Sequence, residues 1–122
     1  MKIALLLFFI ILSACSPEKD TSIDGEELFH SPHIGKNHVI GCISCHSLKT
    51  EIQTVGPSLK GLSLRAGLLI PNLSAQQYIK QSITNPDAYI VAGFSPAVMF
   101  SHYKDELQAD EIEALVSYLM TL

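Results

Sequence analysis

The 122-residue chain has little cysteine, few cations and no long apolar run. Each scarcity excludes something. Three cysteines cannot all pair and allow one disulfide at most, so a scaffold stapled by several disulfides is excluded and the odd count needs another explanation. Eight Lys and Arg against twelve Asp and Glu give a formal charge of −4, and no stretch is basic, which argues against nucleic-acid binding. The apolar run Ile3–Leu12 is too short to span a bilayer. Alternating strands and internal repeats are missing as well. The length itself predicts one domain.

What is present begins with that N-terminal run. It follows Lys2 and ends in Ser13 and Ala14, which fits the apolar region of an export signal over residues 1–14. The segment Leu12-Ser13-Ala14-Cys15 resembles the lipobox of bacterial lipoproteins. The resemblance implies a mature chain that starts at Cys15, carries lipid on its sulfur and sits on a periplasm-facing membrane surface. Two or more acyl chains anchor a protein stably, whereas one binds only marginally. Residues 15–22 are polar and aperiodic, a lipidated tether, and the globular domain is expected over 23–122. Loss of Lys2 with the signal makes the mature chain more acidic still.

Along the domain, Asp24 followed three residues later by Glu27 predicts a capped helix from Gly25 to about His30, with Ile23 and Leu28 as a hydrophobic staple. Ser31–Gly41 holds Pro32, Gly35 and Asn37 and reads as a loop. Gly56-Pro57 marks a turn, and Ser58–Leu64 suits a short helix. Ser74 and Gln77 form a second capping-box pair, for a helix that stops near Thr84 because Pro86 follows. Asn85–Met99 reads as an irregular loop. Ile112, Leu115, Val116 and Leu119 form one apolar face of a last helix, Ala109 to Met120, with Asp110 and Glu111 in its first turn. The expected class is all-α, about three to four short helices. Long loops and a thin core are unusual unless a large flat apolar cofactor fills the centre.

Cys42-Ile43-Ser44-Cys45-His46 supplies that cofactor. C-x-x-C-H is the attachment motif of c-type haem. Two thiols three positions apart reach the two vinyl groups of one porphyrin as thioethers, and the next imidazole ligates the iron. Zinc needs four ligands, usually with a second Cys or His pair, and there is no second Cys pair. A redox C-x-x-C expects a βαβ context, which is missing. The cysteine count now closes: lipid on Cys15, haem c on Cys42 and Cys45.

Haem iron accepts His and Met as an axial pair, and Met raises the reduction potential. After removal of the signal, Met99 and Met120 remain. Met120 sits on the last helix as a packing residue. Met99 lies in a loop punctuated by Pro86, Gly93 and Pro96, and its position makes it the candidate ligand. His102, three residues on, is its rival.

These residues together resemble the class I cytochromes c over nearly the whole domain. Gly25 and Phe29 match the first helix of that family, Leu115 and Tyr118 its last, and these four positions form its helix crossing. Gly56-Pro57 matches the turn after the haem motif. The resemblance implies that the Pro57 carbonyl accepts a hydrogen bond from the His46 imidazole, orienting the ring and raising its basicity. Asn85–Phe94 leading to Met99 is similar to bacterial monohaem cytochromes and to cytochrome domains fused to oxidase subunit II, which implies Met99 as the distal ligand. The sequence departs from the family in three places: Phe100 rather than Pro follows Met99, Ser31–Gly41 resembles an insertion, and Gln108 stands where a Ser cap is common. The insertion holds His33 and His38 beside His30, either a solvated loop or a partner-docking or metal-sensing surface.

The expected protein is therefore an electron carrier, not an enzyme. It is exported and lipid-anchored, it works as a monomer or small subunit, and it exchanges electrons with a membrane-bound redox partner protein or complex. If Met99 were not a stable ligand, the iron would be open to a gas or peroxide, which would make a sensor or peroxidase-like protein. The sequence offers no recognisable distal acid–base group for that.

Overall fold

The Asp24 carboxylate accepts hydrogen bonds from the Glu26 and Glu27 amides at 2.9 and 3.2 Å, satisfying N–H groups that a first helical turn leaves free. Helix α1, Gly25–His30, starts there. The computed structural model describes residues 22–49, 52 and 54–122. The signal segment 1–14 and Cys15 lie outside the described residues, as does the tether 15–22 apart from Ser22.

The Ser31–Gly41 segment is not the plain loop that its composition predicts. His33–Ile34 (β1) pairs antiparallel with Val39–Ile40 (β2), with His33 opposite Ile40 and Ile34 opposite Val39. The Gly41 amide closes the base on the Pro32 carbonyl at 2.8 Å. The connection turns through Gly35 and His38, both with positive φ (73° and 51°). Strands of two residues are too short to show alternation, so periodicity could not reveal them. Ile34 is buried and joins the core.

A single 3-10 turn over Cys42–Ser44 follows. Helix α2 spans Leu62–Ala66, later in the chain than Ser58–Leu64 predicted. Helix α3, Ala75–Thr84, begins at the expected capping box: Ser74 Oγ accepts from the Gln77 amide at 3.2 Å and Gln77 Oε1 from the Ser74 amide at 2.9 Å. It ends before Pro86, which opens a short 3-10 turn to Ala88. Helix α4, Tyr103–Glu106, is an element that the sequence did not announce. Helix α5, Ala109–Leu119, matches its prediction. There the Glu111 carboxylate accepts from the Gln108 amide at 2.7 Å, which offsets the missing Ser cap. The described residues hold five α-helices, one or two more than expected, and one two-stranded sheet. The all-α class holds.

Helices α1 and α5 cross as anticipated. A Cβ on Gly25 would run into the Ala114 carbonyl and lie 3.0 Å from Tyr118 Cβ, so only glycine permits this approach. Phe29 and Leu115, 0% and 1% exposed, fill the crossing, each contributing about 1.5–3 kcal/mol through burial. The Phe29 and Tyr118 rings lie 5.6 Å apart. Helix α3 packs on α2 and α5. Among the described residues no helix is long and apolar enough to cross a membrane.

Candidate functional site

The helices do not close on each other at the centre. They surround a cavity of about 610 Å³, in the range of cofactor sites. Its walls come from every part of the domain: Phe29 from α1, Leu62 from α2, Tyr78, Ile79 and Ile83 from α3, Leu115 and Leu119 from α5. Sequence-distant segments thus turn apolar side chains toward a common space as well as toward one another.

Cys42, Cys45 and His46 line this space. The 3-10 turn presents them: the Cys45 and His46 amides both bond the Cys42 carbonyl, at 3.1 and 3.0 Å. Both thiols are free, so the C-x-x-C is not a disulfide. Burial pushes the Cys42 thiol up to about 11, opposed by a backbone hydrogen bond and reinforced by the neighbouring Cys45. Both sulfurs are available for covalent attachment.

His46 is fixed by local chain geometry. Its Nδ1–H donates to the Pro57 carbonyl at 2.9 Å, which sets the tautomer and leaves Nε2 as the nitrogen able to accept a metal. Gly56 makes this possible: a Cβ there would lie 2.6 Å from His46 Cε1 and 2.8 Å from Nδ1. Burial holds the imidazole below its ordinary pKa, and the Pro57 bond acts in the opposite sense. The neutral ring is the metal-binding form.

Met99 also lines the cavity, with Phe100 and Tyr103. His102 is absent from its lining; its side chain is 67% exposed and its Nδ1 sits 3.3 Å from the Asp105 carboxylate. Met120 is exposed and likewise outside the lining. Of the other imidazoles, His30 bonds the Glu26 carbonyl at 2.9 Å, and His33 and His38 are exposed. Among the described residues no group of three or more His, Cys, Asp or Glu is placed to hold a metal ion.

Three contributors were missed by the sequence reading. Arg65, from α2, is the cavity's charged wall residue among those described, and its guanidinium bonds the Ser58 and Lys60 carbonyls. The signal was a lone cation inside the apolar stretch Leu62–Ala66. The Thr54 hydroxyl bonds the Cys45 carbonyl. The Tyr103 hydroxyl donates to the Ile40 carbonyl at 2.7 Å; burial pushes its pKa up.

The donor set fits a haem. Two thiols, an oriented imidazole and a thioether surround an apolar space that one guanidinium borders, and no carboxylate lines it among the described residues. The family model described as Cytochrome c matches residues 23–122. Among curated proteins, none matches the chain.

Proposed function

Since the chain belongs to the cytochrome c family, carries covalently bound haem c and serves haem-based electron transfer, we propose that it is a membrane-anchored, one-electron carrier with His46 and Met99 as axial ligands. Haem c supplies an iron that cycles between the ferrous and ferric states. The protein supplies everything else. Cys42 and Cys45 hold the porphyrin through thioethers. Pro57 fixes the His46 ring so that its Nε2 would be the nitrogen to hold the iron, and the hydrogen bond would raise the basicity of the ring. Arg65, a cation in the cavity wall, would supply positive charge to offset the propionates. The apolar walls exclude water.

The observation that carries this reading is the convergence of His46 and Met99 on one cavity, with His102 turned to solvent against Asp105. Exposed Ile40, Val55 and Val98 belong to the same lining and offer an apolar rim where a partner's redox centre can approach. The lipobox-like Leu12–Cys15 supports anchoring on a periplasm-facing surface, where tethering raises the effective concentration of a membrane-bound partner.

The test is spectroscopic. Matured protein in alkaline pyridine should give haem c with both vinyls saturated. The ferric protein should show the weak far-red band of an iron–thioether bond, and Met99→Ala should remove it and lower the reduction potential. A ferric protein without the band, or a band that survives Met99→Ala, overturns the ligand assignment. Equal electron-transfer rates to a membrane-bound partner with and without Cys15 overturn the anchoring role.

A further inference from the structure

Met99 is followed by a helix too short to stand by itself. Helix α4 has four residues, Tyr103–Glu106, fewer than an isolated helix needs by a wide margin. Its position must be set by what it touches, and the β1–β2 hairpin touches it at both ends. At the hairpin tip, Glu106 Oε2 accepts from the Asn37 amide at 3.0 Å and Oε1 from Asn37 Nδ2 at 2.9 Å. The Lys36 amide reaches the Glu106 carbonyl at 3.2 Å. At the hairpin base, the Tyr103 hydroxyl holds the Ile40 carbonyl. Gly35 has φ 73°, and a Cβ on it would lie 2.9 Å from Glu106 Cβ, so a glycine is needed for the tip to come this close.

The two ends of the hairpin lead to the two sides of the site. Ile40 is two residues before Cys42. Tyr103 is four residues after Met99. The segment that the sequence left as either a solvated loop or a docking or metal-sensing surface is thus a bridge between the segment that attaches the haem and the segment that carries Met99. Both oxygens of one carboxylate are committed to a single residue of that bridge, and hydrogen bonds to a charged acceptor are stronger than neutral ones.

We propose that the hairpin is a strap across the site, and that Glu106, acting through Asn37, is a positioning residue that keeps Met99 on the iron. The inference rests on Met99 being the distal ligand. A ligand that displaces Met99 must move the chain on which α4 sits, and the Glu106–Asn37 clamp opposes that movement.

Imidazole is the probe. Ferric matured protein is titrated with it, and loss of the far-red thioether band is read. Glu106→Ala should bind imidazole about tenfold more tightly than the unmodified protein. Glu106→Gln, which keeps one oxygen for one of the two Asn37 donors, should fall between them. Ser74→Ala is the control: it removes the α3 cap and lowers stability without touching the strap, so its imidazole affinity should match the unmodified protein. Equal affinities in Glu106→Ala and the unmodified protein overturn the strap, and so does an equal rise in Glu106→Ala and Ser74→Ala, which would mean general loosening. If Glu106→Ala does not mature, Asn37→Ala keeps the carboxylate and the backbone donor and should show about a threefold rise; no rise overturns the inference. An unmodified protein without the band removes the Met99 reading and the strap together, whereas a band with unchanged affinities removes the strap alone.

Discussion

The cavity has two sides, and they are held in opposite ways. On the His46 side the chain is tied to itself over a short span: the Gly56 amide bonds the Cys45 carbonyl at 2.8 Å, the Leu59 amide bonds Ser47 at 2.7 Å, and Pro57 holds the imidazole. On the Met99 side, Tyr89–Met99 has few ties of its own. The Phe94 amide bonds Val91 at 3.1 Å, the Ala97 amide reaches Asp87 Oδ1 at 2.8 Å, and Gly93 has open space around it. The His46 imidazole is oriented by a residue 11 positions on in the same stretch of chain. The segment that follows Met99 is held instead from the far hairpin, through Tyr103 and Glu106. A ligand fixed locally is robust to changes elsewhere; a ligand fixed remotely can be loosened from a distance.

The largest effect should come from putting a methyl on the His46 side. In Gly56→Ala the new Cβ meets the imidazole at 2.6 Å and the Cys45 carbonyl at 3.1 Å. Neither is a flexible side-chain tip, so the ring must leave Pro57. The expected loss is about 3 kcal/mol, the upper end for overpacking, seen in denaturant unfolding of the haem protein. Gly93→Ala meets nothing within 4 Å but adopts φ 91°, so backbone strain alone should cost about 1 kcal/mol. Equal losses in the two variants would break the contrast.

Tyr103→Phe sharpens it from the Met99 side. The variant removes the donor to the Ile40 carbonyl and should cost about 1 kcal/mol at neutral pH. Burial raises the Tyr103 pKa above its ordinary 10.0. Nearby Cys42 and Cys45 add to the shift only as ionised thiols, a contribution that thioether formation removes. A folded pKa above the unfolded one gives stability that is present below pH 10.0 and lost as the pH rises through the folded value. Phe has nothing to ionise. The stability gap between the two proteins should therefore shrink above pH 10.0, measured as unfolding midpoints across alkaline pH. A constant gap would mean that the phenol does not titrate with folding.

The same contrast explains what the sequence made legible. Asp24, Ser74 and the C-x-x-C-H run act through neighbours within a few residues, and each was readable as a local pattern; Gly56-Pro57 read locally as a turn, and its contact with His46, 11 positions back, followed from family resemblance. The α1–α5 crossing is non-local, yet Gly25 and Phe29 with Leu115 and Tyr118 followed from family resemblance and meet as expected. The hairpin and α4 were not legible. Their strands have two residues and their helix four, below any periodicity, and the contact between them joins Asn37 to Glu106, 69 positions apart. Arg65 escaped because one cation in a short helix ordinarily reads as a solvated surface residue.

The smallest expected effect tests whether the Met99 loop has any local support. Ala97 sits at φ 57°, a left-handed conformation that costs a non-glycine residue about 1 kcal/mol. The Asp87 carboxylate, exposed and outside the cavity lining, accepts the Ala97 amide and holds the turn two residues before Met99. Asp87→Ala should lower global stability by only about 0.5 kcal/mol, because water replaces an exposed acceptor at little cost. The far-red band should persist, and imidazole affinity should rise about twofold, well short of the Glu106→Ala effect. If Asp87→Ala instead matches Glu106→Ala, the loop carries its own clamp. Met99 would then be positioned by its neighbours, as His46 is, and the difference between the two sides of the site would disappear.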